Sequence, residues 1–473
     1  MSKMFIKLLS LMILLLLMSC SEDKSTILQL EKYPINVNGK SAETYRIEQP
    51  DGTWGYRGLQ GQNFNVVVKN NLDEPTAIHW HGLILPNNQD GVPFVTQEPI
   101  NPNQKYKYKL ELKQKGTYWM HSHYDMQTQK GLSAPLIIHD LKNKNDYQEV
   151  IMFITDFSFK EPEEIWKELR KGTTHSSHNM QGNNMSGMKM NLSGMDHGSM
   201  QNMDMASSDL NDVAYDAYLV NYKSTDNPDV IKVDSKRKVL LRIINAASAS
   251  NFIINLGELQ GEAIAVDGED IIPFSDSKFE LAMAQRIDVL IEIPANDAAY
   301  PILAQGEGTK MQGGLILKMD NSKDILLSDR TNQTVPALDY DQELILQGKN
   351  PLANKKVDRS LTLDLEGNMS DYVWMLNGEE WPNVTPLKVK EGERVEIILN
   401  NKSMMSHPMH LHGHVFQVTE INGKKINGAM RDTVNVLPNS TVKVQFDANN
   451  PGIWMLHCHV LYHEMGGMMT TVN

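Results

Sequence analysis

At 473 residues the chain is long enough for two or three domains, each burying its own core. Its 45 basic and 58 acidic residues give a formal charge of −13, and no block of Lys or Arg stands out, which argues against nucleic acid as a partner. The 28 methionines exceed what a core of this size calls for, while aromatic content is ordinary at 7%.

The N-terminus, MSKMFIKLLSLMILLLLMSC, places Lys3 and Lys7 before an apolar run from Leu8 to Met18 and then Ser19 and Cys20. That run is too short to span a bilayer and suits the apolar segment of a secretory signal. LMSC resembles a bacterial lipobox, so residues 1–20 are expected to be a lipoprotein signal peptide and Cys20 the acylated first residue of the mature chain. The alternative is an ordinary cleaved signal with an incidental cysteine. No twin arginine is present, which implies export of the unfolded chain and metal loading afterwards. The expected location is the bacterial cell envelope, periplasmic or at the outer membrane, with a lipid anchor as the only membrane attachment. If Cys20 is acylated, Cys458 is the only thiol left, no intramolecular disulfide forms, and Cys458 must be buried or bound.

Further along, short β-branched runs alternate with Gly, Asn, Asp and Pro turns, and only PEEIWKELRKG (162–172) has a helical period. The chain therefore reads as all-β sandwich material. GQNFNVVVKNNL (61–72), KRKVLLRIINAA (236–247) and GERVEIILNNKS (392–403) resemble one another, each a strand ending in Asn. Aligning Asn70, Asn245 and Asn400 gives intervals of 175 and 155 residues, a repeat that implies three related domains. Boundaries near 145 and 330 divide the mature chain into 21–145, 146–330 and 331–473. IHWHG and SHPMHLHGH follow the first and third repeats, whereas SASNFIINL, without histidine, follows the second.

Ten of the 15 histidines fall in four clusters: His79 and His81; His121 and His123; His407, His410 and His412; His457, His459 and His463. Side chains at i and i+2 of a strand share a face, so each His-x-His pair presents two imidazoles together. One such pair is common in surface strands, but four pairs are improbable without a metal. In HCH the geometry separates two sites. His457 and His459 face one way and Cys458 the other, where His407, His463 and Met468 complete a His₂Cys set with a weak axial thioether, the pattern of a blue-copper centre. The remaining pairs form a multi-metal cluster joined to Cys458 through covalent bonds.

These motifs, in this order and at these separations, resemble the multicopper oxidases over nearly the whole mature sequence. The resemblance implies three consecutive cupredoxin-like Greek-key β-sandwich domains, with copper between the first and last. It implies four copper ions. A type 1 copper falls to His407, Cys458, His463 and Met468, a type 2 copper to His79 and His410, and a type 3 pair to His81, His121, His123, His412, His457 and His459. It also implies one-electron oxidation of a donor at the type 1 site and reduction of O2 to water at the other three. Asp90 and Glu464 occupy positions resembling the family's proton-relay acids, although a turn aspartate and a solvated glutamate are the plain readings. His139 and His414 are expected in strands as structural residues.

Residues 175–205, HSSHNMQGNNMSGMKMNLSGMDHGSMQNMDM, hold eight methionines and His175, His178 and His197 without any period. Such a segment is expected to be a loop inserted in domain two, and its thioethers suit Cu(I). It resembles the Met-rich motifs of copper-resistance members of the family; a low-complexity linker, or sacrificial oxidation of the methionines, is the alternative. The function expected is a Cu(I) oxidase in copper tolerance, with a laccase-like oxidase of small aromatic donors as runner-up, ferroxidase or manganese oxidation also open, and a copper-storing lipoprotein as the non-enzymatic reading. A monomer is the default.

Overall fold

The computed structural model describes residues 25–142, 147–171 and 210–473. The expected signal segment with Cys20, and the insertion 175–205 with its three histidines, lie outside the described residues. Among the described residues no helix is long and apolar enough to cross a membrane.

Strands from Thr26–Val37 to Ser133–His139 build two four-stranded sheets. Those from Gln148–Phe157 to Gln312–Lys318 build a six- and a five-stranded sheet, and those from Arg359–Asn368 to Met469–Val472 a seven- and a four-stranded sheet. The result is three sheet pairs in succession, as the repeat predicts. Buried positions alternate along strands with one solvated face, as in Thr441–Asp447, whereas strands covered on both faces, such as Val239–Asn245, are buried throughout. The one predicted helix is present as Pro162–Arg170. It begins with proline followed by Glu163 and Glu164 and ends with Lys167 and Arg170, charges that oppose the helix dipole at both ends.

The repeat has a structural cause that corrects its alignment in the third unit. Asn70, Asn245 and Asn401 are each buried at a strand end and make the same set of bonds. Each side-chain carbonyl accepts the backbone N–H two residues on, of Leu72, Ala247 and Ser403. Each amide donates to two carbonyls across the turn: Glu74 and Ile100, Ser250 and Leu281, Met405 and Val436. The third equivalent is thus Asn401, not Asn400. Asn400 faces outward, where it meets Asp364 and Thr441. An Asn at the strand end supplies the bonds that the departing backbone has lost.

Two strand pairings bring the histidine motifs into register. In the first unit, Ile78–His81 runs antiparallel to Gly116–Ser122, with His79 opposite His121 and His81 opposite Trp119. In the third, His407–Leu411 runs antiparallel to Trp454–Cys458, with His410 opposite His457 and Met409 opposite Cys458. Only the first His-x-His lies wholly within its strand; His123, His412 and His459 stand just beyond strand ends. Their backbone N–H groups still bond to Ala77, Met455 and Pro408 on neighbouring strands, so the alternation of faces persists.

The units are also tied together by buried charge. Arg242 of the central unit donates to Asp288 at 2.6 Å and to Glu149 at 2.7 Å, and Thr117 of the first unit donates to Asp288 at 2.5 Å. Removing one partner strands the other inside the protein. Asp288→Ala is expected to destabilise the chain by roughly 3–5 kcal/mol, seen as a lowered Tm of the copper-free protein. Glu292→Ala, which breaks an exposed pair with Lys238, should leave Tm unchanged.

Candidate metal centre

The two registers place eight imidazoles, from His79, His81, His121, His123, His410, His412, His457 and His459, in one buried volume between the first and third units. His79 and His412 stack with ring centroids 3.8 Å apart, and His81 and His410 at 3.7 Å, so rings from the two units interleave. Potential ligand atoms of His79, His410 and His412, and of His123, His412 and His457, lie within 4.8 Å of one another.

Six of the eight rings are held by a hydrogen bond at the outer nitrogen. His79 Nδ1–H donates to the Asp90 carbonyl at 2.9 Å, His121 Nδ1–H to the Ser122 carbonyl at 2.9 Å, and His410 Nδ1–H to the Asp432 carbonyl at 2.8 Å. His412 Nδ1 bonds to Asp90 Oδ2 at 2.9 Å, His457 Nδ1 to the Cys458 carbonyl at 3.0 Å, and His81 Nε2 to Asp432 Oδ1 at 3.1 Å. The inner nitrogens are different. His79, His121, His123, His410 and His459 Nε2 and His81 Nδ1 are buried without a hydrogen-bond partner. The Nε2 atoms of His412 and His457 face each other at 3.1 Å. A buried polar atom without a partner is costly, and six such nitrogens converging with the two that meet each other have no role in a metal-free core. They fit metal ions, and the imidazole donor set suits copper.

A second site lies on the other side of the HCH segment. Cys458 Sγ is 3.6 Å from both His407 Nδ1 and His463 Nδ1, and those two nitrogens are 3.1 Å apart. Again the outer nitrogens are committed: His407 Nε2 to Ser403 Oγ at 2.7 Å and His463 Nε2 to Asp212 Oδ2 at 2.7 Å. Met468 is fully buried, and its carbonyl accepts the Cys458 N–H at 3.1 Å. Trp374 covers this site, its ring 3.8 Å from that of His463.

Electrostatics prepare both sites for cations. Burial, reinforced by neighbouring imidazoles, pushes His81, His121, His407, His410, His412 and His459 well below the ordinary histidine pKa, and burial brings His123 to about 4. These seven rings are therefore held toward the neutral form, the one that binds metal, whereas at His457 the Glu464 carboxylate outweighs burial and raises the pKa. Burial likewise raises the Cys458 thiol well above its usual value, so a metal must displace its proton.

Both proposed acids touch the cluster. Asp90 is buried and holds His79 and His412, while its Oδ1 has no hydrogen-bond partner. It is not a solvent-facing turn residue. Glu464 is 17% exposed and lies 3.3 Å from His457 Nδ1 and 3.7 Å from His123 Nδ1. Burial alone would raise its pKa, but His457 and His123 outweigh this and bring it to about 2. Glu464 also lines a small cavity with His121, His123 and His459. Of the remaining histidines, His139 ends a strand and pairs with Glu149 at 3.0 Å. His414 is not in a strand. It follows the turn after His407–Leu411, buried against Phe446 and Trp454.

Sequence reasoning missed the residues that hold the outer nitrogens. Asp212, Ser403 and Asp432 belong to polar stretches without any motif, and only the tertiary fold carries them to the histidines. Asp212 also accepts a bond from Tyr372 and lines a cavity of about 890 Å³ with Glu168, Tyr215, Lys310, Met311 and Arg330.

An all-β chain with a His₂Cys site beside a cluster of eight imidazoles defines a copper protein of the redox class. Family models described as multicopper oxidase match residues 57–143, 192–323 and 355–473. The chain is 30% identical over 421 residues to the multicopper oxidase MmcO of Mycobacterium tuberculosis, covering 88% of this chain and 80% of that one. It is 28% identical over 536 residues to the copper resistance protein A homolog of Pseudomonas syringae pv. tomato, covering 93% and 90%. The solved structure of Fet3p, a multicopper oxidase that functions in iron import, superposes with a TM-score of 0.77 at 20% identity over 95% of this chain and 90% of that one. The chain belongs to the multicopper oxidase family, with three consecutive cupredoxin-like sandwiches. It is an oxidase with copper cofactors that uses dioxygen as acceptor.

Ser403→Ala removes the acceptor that orients His407. Copper retention at the His₂Cys site is expected to weaken about 10–100-fold, measured by chelator competition followed through the blue absorbance.

Proposed function

We propose that this oxidase takes electrons from Cu(I) and that its domains run from 21 to 145, 146 to 330 and 331 to 473. The assignment of ligands rests on the family's motifs, and the clustering of the histidines supports it. His407, Cys458, His463 and Met468 would hold a type 1 copper, and His79 and His410 a type 2 copper. His81, His121 and His459, with His123, His412 and His457, would hold a type 3 pair. When bound, these four coppers supply one-electron acceptance from the donor and four-electron reduction of O2 to two waters.

The chain's own residues account for the rest. His463 leads outward: its Nε2 is bonded to Asp212, and Asp212 lines the large cavity, so donor electrons arrive at this imidazole edge. Cys458 is bonded through the backbone to both His457 and His459, a short covalent route between the two sites. Trp374 and the surrounding core keep water from the thiolate. At the cluster, Glu464 places a carboxylate beside His457 and His123 and faces the small cavity, where it can take protons from water and pass them inward. Asp90 presents its unpartnered Oδ1 within the same buried volume.

One observation carries the choice of donor. The described chain ends at Lys171, one residue after the helix Pro162–Arg170, and resumes at Leu210, two residues before Asp212. Ile165, Glu168 and Asn211–Tyr215 line the cavity that Asp212 faces. The described residues on either side of the Met-rich insertion thus border that cavity, and the thioethers of the insertion would be soft ligands able to supply Cu(I) as donor. The copper-resistance relatives agree with this reading. We further propose a monomer in the bacterial cell envelope, anchored through Cys20, with extra Cu(I) held by the insertion.

Oxygen consumption by copper-loaded protein, with Cu(I) and with a phenolic donor in turn, tests the donor. Deleting residues 175–205 should slow Cu(I) oxidation several-fold and leave the phenol unaffected; equal losses would reduce the insertion to a structural element, and preference for the phenol would make the protein a laccase. Cys458→Ser should abolish both the blue absorbance and turnover. Glu464→Gln should lower turnover by roughly 10²–10⁴-fold while leaving anaerobic bleaching of the blue band by the donor unchanged in stopped flow.

A further inference from the structure

Among the described residues the central unit supplies no imidazole to either site, yet one of its side chains reaches the cluster. Arg286 is fully buried where the three units meet. Its Nη1 and Nη2 donate to Asp432 Oδ1 and Oδ2 of the third unit at 2.7 and 2.5 Å. Its Nε donates to the Thr117 carbonyl of the first unit at 3.1 Å, and Nη1 also donates to the Ala284 carbonyl of its own unit at 3.1 Å. Asp267, beside it, binds both the Arg286 backbone N–H and the Arg431 guanidinium.

Asp432, clamped in this way, serves imidazoles from two units. Its Oδ1 receives His81 Nε2 at 3.1 Å and Thr433 Oγ1 at 2.9 Å, and its carbonyl receives His410 Nδ1 at 2.8 Å. The contact to His81 is chemically distinctive. Of the eight imidazoles, seven turn Nε2 inward; His81 alone turns Nδ1 inward. A neutral imidazole carries one proton, so His81 can offer Nδ1 to a metal only if the proton is kept on Nε2. Asp432 is the acceptor that keeps it there, and a carboxylate fixed by a two-pronged guanidinium cannot rotate away.

The space around the pair is closed to alternatives. Gly82, which follows His81 in HWHG, has φ +85°, and a Cβ there would lie 2.4 Å from Asp432 Oδ2 and 2.6 Å from Arg286 Nη2. The glycine of the motif is thus required by the ion pair beneath it as well as by the turn.

We propose that Arg286 is a positioning residue of the oxygen-reducing centre, which through Asp432 fixes the tautomer of His81 and the orientation of His410. The central unit, which contributes no imidazole among the described residues, thereby determines whether the outer two can hold copper between them. This rests on reading the eight imidazoles as the copper cluster.

The test uses full-length copper-loaded protein dialysed against graded chelator, with copper per chain, the blue type 1 absorbance and the type 2 signal in electron paramagnetic resonance read together. Arg286→Lys keeps the charge and loses the fork, and Asp432→Asn keeps the size and loses the carboxylate. Each is expected to release cluster copper at about 10–100-fold lower chelator and to broaden or abolish the type 2 signal, with the blue absorbance retained; breaking the buried pair also lowers the Tm of the copper-free chain, so the readout is the selective loss of cluster copper rather than Tm. Parallel loss of type 1 and cluster copper would make the pair merely structural and overturn the proposal, as would wild-type retention of cluster copper in both variants. If the wild-type chain itself holds no type 2 copper, the cluster reading fails instead. Nitrogen NMR of the copper-free wild-type chain checks the tautomer without any variant: His81 should carry its proton on Nε2, and a proton on Nδ1 would overturn the proposal.

Discussion

Everything in this molecule is arranged around buried imidazole nitrogens that converge on one another. Eight point into one volume, six of them without a hydrogen-bond partner, and two more, with a thiol, into another a few bonds away. The unpartnered ones disfavour the folded metal-free chain, because each has lost water without gaining a hydrogen bond. The fold tolerates them because most of the rings have the outer nitrogen secured to a carbonyl, a carboxylate or a hydroxyl, so the inner edge is directed at a neighbour's inner edge. Copper converts that cost into coordination energy, so loading and stability are coupled.

Strand geometry makes the arrangement possible. The alternation of faces puts Cys458 and its two flanking histidines on opposite sides of one segment, so a mononuclear and a polynuclear site share a backbone. The antiparallel registers then add His79 to His121 and His410 to His457 at no further cost in chain. Because the cluster lies between the first and third units, neither can complete it alone. The central unit closes the assembly through buried charge: Arg242 with Asp288 and Thr117, and Arg286 with Asp432 and Thr117.

The ligands were legible in the sequence because their chemistry requires a fixed local spacing. His-x-His and His-Cys-His state in three residues which side chains share a face. The repeat was legible too, since each unit needs an Asn where a strand leaves its sheet, although two adjacent asparagines hid which of Asn400 and Asn401 is the buried one. Burial is decided by the partner strand, and no local pattern records that. Asp90 and Glu464 were accessible only through their proximity to motifs. Asp212, Ser403, Asp432 and Arg286 were not legible at all, because Asp212 and Asp432 reach their histidines from tens to hundreds of residues away, Ser403 does so from a loop whose path the tertiary fold decides, and Arg286 acts only through Asp432. His414, adjacent to a motif, was misplaced in a strand when the chain in fact turns there.

The converging imidazole nitrogens and the Cys458 thiol exist to hold copper at two separate sites. Anomalous diffraction from crystals of the copper-loaded protein, collected on either side of the copper absorption edge, tests it most directly. One peak is expected bounded by His407, Cys458 and His463, and three more enclosed by the eight imidazoles. A peak at Cys458 alone, or copper found only at surface carboxylates and thioethers, would contradict it.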